Sequence, residues 1–443
     1  MKLAMKRIVL SSIASLALAA CGSGADEVQQ TGAVAEMPDP DRGLLPSMNV
    51  ADPTGWGDRR PRVPEGFTVT AIATDMAIPR QSIVLPNGDI LVAEGMGGGA
   101  PALRPKDIIA SYIKSQGTSS VEGGDRLTLL RDADGDGTYE TRSIFAADLN
   151  APYGLALIDD RLFVANQDAI VVFDYQPGQT VASGPPRRLA PLPSEVNHHW
   201  TKAMTASADG QYLYVGIGSN SNIGERGMAI EEERAMVWQV DVATGAHRRY
   251  ATGLRNPTAL AIQPGTGQLW AVVNERDEMG PDVPPDYLTS VRAGGFYGWP
   301  YAYWGTYPDR RVRPFKEDMV ARSIRPDYSL GAHVAALGVD FSSTAMGAGY
   351  AEGVFVGMHG SWNRKVPVGY KVVFVPFRNG RPAGDPVDFV TGFHVDGETY
   401  GRPVGVTVDP AGALIVADDL SNTVWRITRN APPNLAPSPA EMG

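Results

Sequence analysis

The chain reads as an all-β fold, a six-bladed β-propeller with four-stranded blades, and three observations carry that reading. One hairpin pattern recurs six times, its turns are Asn-Gly, Asp-Gly or close relatives, and Gly 50 and Pro 35 punctuate the 443 residues at short intervals instead of clustering. Such punctuation favours many strands and turns. The six copies are "PRQSIVLPNGDILVAEG" from Pro79, "APYGLALIDDRLFVANQD" from Ala151, "KAMTASADGQYLYVGIGSNSN" from Lys202, "RNPTALAIQPGTGQLWAVVNERD" from Arg255, "AALGVDFSSTAMGAGYAEGVFVGMHGSW" from Ala335 and "RPVGVTVDPAGALIVADDLSN" from Arg402. Their apolar runs of four to six residues, rich in Val, Leu, Ile and aromatics, flank a tight turn, so each copy is a β-hairpin. Turn centres near Gly88, Asp160, Gly210, Gly267, Gly353 and Gly412 are spaced by 50 to 86 residues, room for one four-stranded sheet plus its loops. "GFTVTAIAT" from Gly66 has no hairpin of its own and is expected to close the ring as an outer strand of the last blade. A pair of β-sandwiches would leave the sixfold hairpin unexplained.

Composition bounds the rest. Hydrophobic residues at 43% and charged residues at 20% are those of an ordinary protein able to bury a large core. The start, "MKLAMKRIVLSSIASLALAACGSG", has a basic head, an apolar run from Ile8 to Leu18 and small residues before Cys21, the only cysteine. That is a secretion signal of about residues 1–20, and "LALAAC" resembles the bacterial lipoprotein cleavage box. Cys21 then becomes the lipidated first residue, on the periplasmic face of a bacterial cell envelope and most simply at the outer membrane. No disulfide is possible with one cysteine. Loss of Lys2, Lys6 and Arg7 with the signal takes the formal net charge from −10 to −13. An acidic protein is a poor partner for a phosphate backbone, so nucleic acid is set aside. Residues 21–63, rich in Ala, Gly, Pro and acidic residues, read as a tether and 430–443 as a loose tail, leaving 64–429 as the propeller domain.

A hairpin's two open ends lie on the same side, so the residues just before and after each copy line one face. The lead-in positions offer Arg80, Asn150, His199 with Lys202, Arg255 with Asn256, His333, and Arg402; the trailing positions offer Glu94, Asn166, Asn220, Glu275 to Asp277, His359 with Arg364, and Asp418 with Asp419. With these hairpins innermost, that set rings the mouth of the channel as a cationic funnel. Converging guanidinium groups suit a planar ligand with several carboxylates, because arginine pairs with them bidentately. The competing explanation is a structural network in which each arginine pairs with a neighbouring carboxylate.

The strings "GLRNPTALAIQPGTGQLWAVVNERDEMGPDVPPDYLTSVRAGGFYGWPY", "HHWTKAM", "GIGSNSN", "HGSWNRKVPVGYKVVFVPF" and "YGRPVGVTVDPAG", in this order over about residues 64–429, resemble the glucose/sorbosone dehydrogenases, and more closely their sorbosone dehydrogenase-like branch. Those are six-bladed propellers that use pyrroloquinoline quinone. The resemblance implies oxidation of an aldose or sorbosone-like sugar aldehyde by hydride transfer to the quinone, with electrons leaving to an acceptor such as a cytochrome or another quinone. It gives His199 the role of the base that takes the hydroxyl proton, a task suited to imidazole. Arg255, Asn256 and Arg402 match cofactor contacts, as do His333, Arg364 and Lys365 amid insertions. It implies a calcium ion held by backbone carbonyls of Asp277 and Glu278, or of Gly280 and Pro281 under a register shift. The chain departs from the glucose branch at His198, where that branch has aspartate, at Tyr400, where it has arginine, and near Asn150, where its glutamine has no counterpart.

A calcium-dependent sugar lactonase is the rival, with Glu94, Asn166, Asn220, Asn274 and Asp418 holding the metal; a third possibility is a non-catalytic sugar-binding lipoprotein. A lactone needs no cluster of guanidinium groups. "DADGDGTYE" from Asp132 has the spaced aspartates of an EF-hand loop, but Ser143 stands at its twelfth place, so a tight Asp-Gly turn and a structural calcium site are both open. The 96–124 insertion is expected to hold a short helix and a lid-like loop. Replacing Cys21 with serine is expected to abolish lipid attachment; mass spectrometry of the mature N-terminus checks this, and a lipidated Cys21→Ser protein would contradict it.

Overall fold

The computed structural model describes residues 30–41, 49–50, 52–99, 101–102 and 118–430. The signal segment 1–20, Cys21, the helix expected in the 96–124 insertion and the tail beyond Asn430 lie outside the described residues. Within them the chain builds six sheets of the expected kind, each with a four-stranded antiparallel path. The innermost strands are Pro79–Val84 (blade I), Gly154–Ile158 (blade II), Lys202–Ala206 (blade III), Pro257–Ile262 (blade IV), Ala336–Phe341 (blade V) and Pro403–Val408 (blade VI). Every one pairs antiparallel with the next strand in sequence, so all six repeated hairpins are inner hairpins. Phe67–Ala73 pairs with Thr423–Arg429 as the outer strand of blade VI, and the first strand thereby joins the last blade.

Both faces of each sheet are covered, which is why the strands read as continuous apolar runs. In Arg161–Ala165 of blade II, Leu162 and Val164 enter the core shared with blade I, whereas Phe163 and Ala165 enter the core shared with blade III. Side chains alternate across a strand, so one five-residue run serves two neighbours. Near the axis the blades approach so closely that side chains are excluded. A Cβ on Gly338 would lie 2.3 Å from the Val404 carbonyl oxygen, and one on Gly405 2.3 Å from that of Arg80.

Part of the stretch whose composition reads as a tether lies against the propeller. Gly32 and Ser329 exchange backbone hydrogen bonds of 2.9 and 3.0 Å, and Trp304 Nε1 donates to the Ala35 carbonyl. Trp56 is buried between blades V and VI, with ring contacts to Phe393, Tyr400 and Trp425, and its Nε1 donates to Asp418 Oδ2 at 3.0 Å. Tryptophan and alternating apolar residues can dock even where the average composition is that of a linker. Truncating Trp56 to alanine removes a large buried ring and one donor to Asp418, and is expected to cost about 3–5 kcal/mol; the denaturation midpoint of Trp56→Ala against wild type checks this, and an unchanged midpoint would contradict it.

Candidate functional site

The "VNHHW" stretch runs directly into the inner strand of blade III, and its backbone is unusual. Val196 and Asn197 have φ of 64° and 37°, conformations that residues other than glycine seldom adopt. Polar bonds hold the turn. Asn197 Oδ1 accepts from Lys202 Nζ and from Arg234 Nη2, each at 3.1 Å, and Asn197 Nδ2 donates to Gln167 Oε1. Lys202 is fully buried, and burial, then the nearby Arg234, pushes its ammonium well below its usual value. It is therefore a clamp on the turn and not part of an open funnel.

This turn presents His199. Its Nδ1 lies 2.8 Å from the Ser219 carbonyl oxygen and 3.1 Å from the Ser219 hydroxyl. A carbonyl can only accept, so Nδ1 carries the proton and Nε2 keeps its lone pair. The imidazole is only half-buried by surface, yet protein atoms surround it closely enough for desolvation to dominate. Burial, followed by Arg255 and His198, holds its pKa well below the ordinary value. The group that orients the His199 ring is thus the Ser219 carbonyl, not the preceding residue. His198 is exposed, its ring meets His199 edge-on at 4.6 Å, and its backbone N–H donates to Asn220 Oδ1.

Arg255 and Asn256 stand beside this imidazole. A Cβ on Gly218 would fall 2.4 Å from Asn256 Oδ1 and 2.5 Å from His199 Cβ, so the two residues flank one glycine. Asn256 Oδ1 is buried and has no partner among the described residues, and the same holds for Asn274 Oδ1. Buried polar atoms rarely go unpaired, and such oxygens mark where a ligand or ordered water belongs. The Arg255 guanidinium donates to neutral oxygens of Asn222 and Glu275 and is 3.7 Å from the Asp277 carboxylate, so its charge is not fully spent. Across the ring Arg402 donates to the carbonyls of His359 and Gly360 and lies over the Tyr370 ring. These guanidinium groups and unpartnered amide oxygens fit a polar, anionic, planar molecule.

Several expected contacts are spent elsewhere. His333 Nε2 donates to the Gly280 carbonyl and its Nδ1 accepts from Asn363, which leaves neither ring nitrogen for a cofactor. Arg364 pairs with Asp282 at 2.9 Å, and the Lys365 side chain is exposed. Arg276 is fully buried, tied to Glu275 and Asp309, and is not in the mouth.

The calcium ligands are the clearest correction. Arg311 grips Asp309 with Nε and Nη2 at 2.8 and 2.6 Å, while its Nη1 donates to the backbone oxygens of Asp277 and Glu278 at 3.2 and 2.9 Å. The oxygens expected to hold the ion hold a guanidinium instead, and that of Asp277 also accepts from Asn222 Nδ2. The shifted register fares no better at Gly280, whose carbonyl takes His333. Asp309 answers with a pKa of about 2: burial raises it, but the hydrogen bonds of Arg311 and the charges of Arg276 and Arg311 outweigh burial. Nothing short of three-dimensional contact joins residue 311 to residue 277. Three of the five residues of the lactonase set are likewise occupied, whereas Asn166 Oδ1 and Asn274 Oδ1 are buried with no partner among the described residues. Glu94 takes both Nε and Nη2 of Arg126, Asn220 Nδ2 donates to the carbonyls of Glu195 and Ile230, and Asp418 accepts from Trp56, Ser421 and Arg402 N. On the outside of blade I, Asp132, Asp134, Asp136 and Glu140 bring carboxylate oxygens within 4.8 Å of one another.

The TrAA12-like family description matches residues 61–284 and 314–430. The chain belongs to this family. A pyrroloquinoline quinone-dependent sugar dehydrogenase of Hypocrea jecorina is 21% identical over 427 residues, covering 84% of this chain and 90% of the relative. The holo pyranose dehydrogenase quinone domain of Coprinopsis cinerea has the same fold, with a TM-score of 0.65 at 21% identity over 84% of this chain and 97% of that one. The calcium structure of a Trichoderma reesei AA12 enzyme has a TM-score of 0.67 at 19% identity, covering 88% and 99%. The resemblance to the quinone-dependent sugar dehydrogenases is borne out. Asp309 and Arg311 fall in the unmatched stretch between residues 284 and 314.

Arg311→Ala is expected to cost about 1–3 kcal/mol, because buried Asp309 loses one of its two guanidinium partners and two carbonyls lose a part-buried donor. It is also expected to create calcium affinity at the loop that wild type lacks there. Chemical denaturation and calorimetric calcium titration of both proteins check this, and calcium binding by wild type that Arg311→Ala leaves unchanged would contradict it.

Proposed function

We propose that the protein is a quinone-dependent dehydrogenase that oxidises an aldose or a sorbosone-like sugar aldehyde, with His199 as the base. The observation that carries this reading is the His199 imidazole, fixed in one tautomer by the Ser219 carbonyl and set beside Arg255 and Asn256. A neutral imidazole with a free Nε2 lone pair can take a hydroxyl proton, and its lowered pKa keeps it neutral at physiological pH. Arg255, Asn256 and Arg402 would hold pyrroloquinoline quinone, which supplies an electrophilic acceptor for the substrate hydride. Trp200, edge-on to Tyr153 and beneath the Arg80 guanidinium, offers an apolar wall for a sugar ring. The carbonyls of Asp277 and Glu278 do not fit a calcium ion beside Arg311, so no step is assigned to one. The named relatives support the quinone and the sugar. Cys21 as a lipid anchor in the cell envelope and a cytochrome or quinone as the electron acceptor complete the proposal.

Absorbance titration with the quinone is expected to show saturable binding that Arg255→Ala and Arg402→Ala each weaken; no binding by wild type would end this reading. His199→Ala is expected to lower sugar-driven dye reduction by roughly 10²- to 10⁴-fold while leaving quinone occupancy intact. His198→Ala should cost less, on the order of tenfold, since it acts only through geometry. Steady-state rates with occupancy measured on the same samples decide between them; near-full turnover by His199→Ala would move the base elsewhere.

A further inference from the structure

Opposite the blade III turn, the ring carries a second imidazole that the reading above leaves unused. His359 ends the inner hairpin of blade V, and its Nε2 lies 2.8 Å from Asp419 Oδ1, at the end of the inner hairpin of blade VI. A carboxylate accepts, so Nε2 carries the proton and Nδ1 keeps a lone pair. No described residue bonds that nitrogen, and 15% of the side chain remains exposed. Asp419 is fixed from its other side, where Oδ2 takes Arg80 Nη1 at 2.6 Å. Arg80 Nε in turn donates to the Gly95 carbonyl, and its guanidinium lies 5.3 Å from the centre of the Trp200 ring. Trp200 follows His199 directly, so an unbroken line of contacts joins the two histidines on one face. His359 is the better built of the pair: its orienting group is an ionised carboxylate, which stabilises an imidazolium more than a carbonyl can.

Two protons must leave the protein in every turnover. Oxidation breaks the O–H and C–H bonds of the substrate carbinol and forms C=O; in the proposed reading one proton would go to His199, and the bound quinone would supply the acceptor for the hydride. When the hydride's two electrons pass to two one-electron acceptor molecules, such as a ferrocenium dye, its proton remains and needs a base. We propose that His359, positioned by Asp419 and Arg80, is a second base of the ring and takes this proton. The proposal rests on the quinone-dependent reading of the site.

The charges around His359 suit such a role. Burial, then the field of Arg402, lowers its pKa to about 4, against the pull of Asp419, with Arg80 also lowering it. Asp419 stays ionised: burial opposes this, but His359 and Arg80 hold its pKa well below the carboxylate range. In the empty ring His359 is thus a weak base. An anionic cofactor beside Arg402 and Arg80 would offset the two positive charges that weaken it, so basicity would rise only when there is a cofactor to deprotonate.

Two measurements test this. The first uses ligand-free protein with ¹⁵N-labelled histidine; with six histidines in the chain, one substitution assigns the resonance. His359 is expected as the Nε2–H tautomer, uncharged until the pH falls to about 4, and Asp419→Asn should shift its resonances. A mixed tautomer titrating near 6.5 would overturn the proposal. The second separates the half-reactions by stopped flow on quinone-loaded protein. His359→Gln is expected to slow reoxidation by a ferrocenium dye about a hundredfold, with reduction by sugar within about twofold of wild type. His359→Ala should behave alike and recover reoxidation on addition of imidazole, which a merely structural loss would not do. Equal slowing of both half-reactions, or unchanged reoxidation, would sink the idea. Failure of wild type to take up quinone is read separately, by absorbance, and counts against the functional reading itself.

Discussion

Ring closure is the constraint on which the rest depends. Phe67–Ala73 hydrogen-bonds to Thr423–Arg429, joining the beginning of the propeller to its end, and Trp56 reinforces the same seam by filling the space beside Trp425 and donating to Asp418. A ring of blades closed in this way leaves only short, protected strand edges along its axis, and every blade must present its inner hairpin in the same sense. Six pairs of hairpin ends therefore arrive on one face whatever their sequences are. Residues as distant in the chain as Arg80 and Asp419 become ion-pair partners only because the circle is complete.

Charge is then sorted by depth. Below the mouth, Glu275, Arg276, Asp309 and the part-buried Arg311 alternate in sign, so each of the three buried ions has its opposite within reach. Such a chain satisfies desolvated groups mutually, and removing one member exposes the others. At the mouth the balance changes. Arg255 and Arg402 there bond mainly to carbonyl oxygens, and burial chiefly holds the imidazoles of His199, His333 and His359 below their ordinary pKa. Fixed positive charge next to uncharged imidazoles suits the proposed function, in which the guanidinium groups would hold an anion while His199 and His359 would handle protons.

The sequence made some of this legible and hid the rest for definite reasons. The six hairpins were visible because turn chemistry and apolar runs are local, and the outer strand from Gly66 could be placed because a closed ring leaves an odd strand only one position. The place of His199 on the hairpin face was legible because it stands just before an inner strand, while its expected role came from the family resemblance. The tautomer of His199 was not, since it depends on the Ser219 carbonyl twenty residues away. Arg311 was harder still. Its effect on Asp277 and Glu278 arises from a loop in blade IV that folds back across 33 residues, and no pattern in either segment announces the contact. The reading of Lys202 and Arg276 as parts of a funnel failed because a position at a hairpin end fixes the backbone and not the direction of the side chain. Trp56 was missed because composition averages over the one residue that matters.

The glycines at the axis have a consequence for how such a protein can diversify. With Gly338 and Gly405 pressed against the backbones of neighbouring blades, the inner strands have no slack to accept a longer or bulkier segment. The loops between strands face no such limit. Blade IV carries 37 residues between its third and fourth strands, including a two-residue hairpin and a helical turn, without disturbing its sheet. Novelty in substrate range is thereby channelled into the rim, where additions are cheap, while the axis stays frozen. New specificities on this scaffold are expected to be written as insertions and not as altered blades.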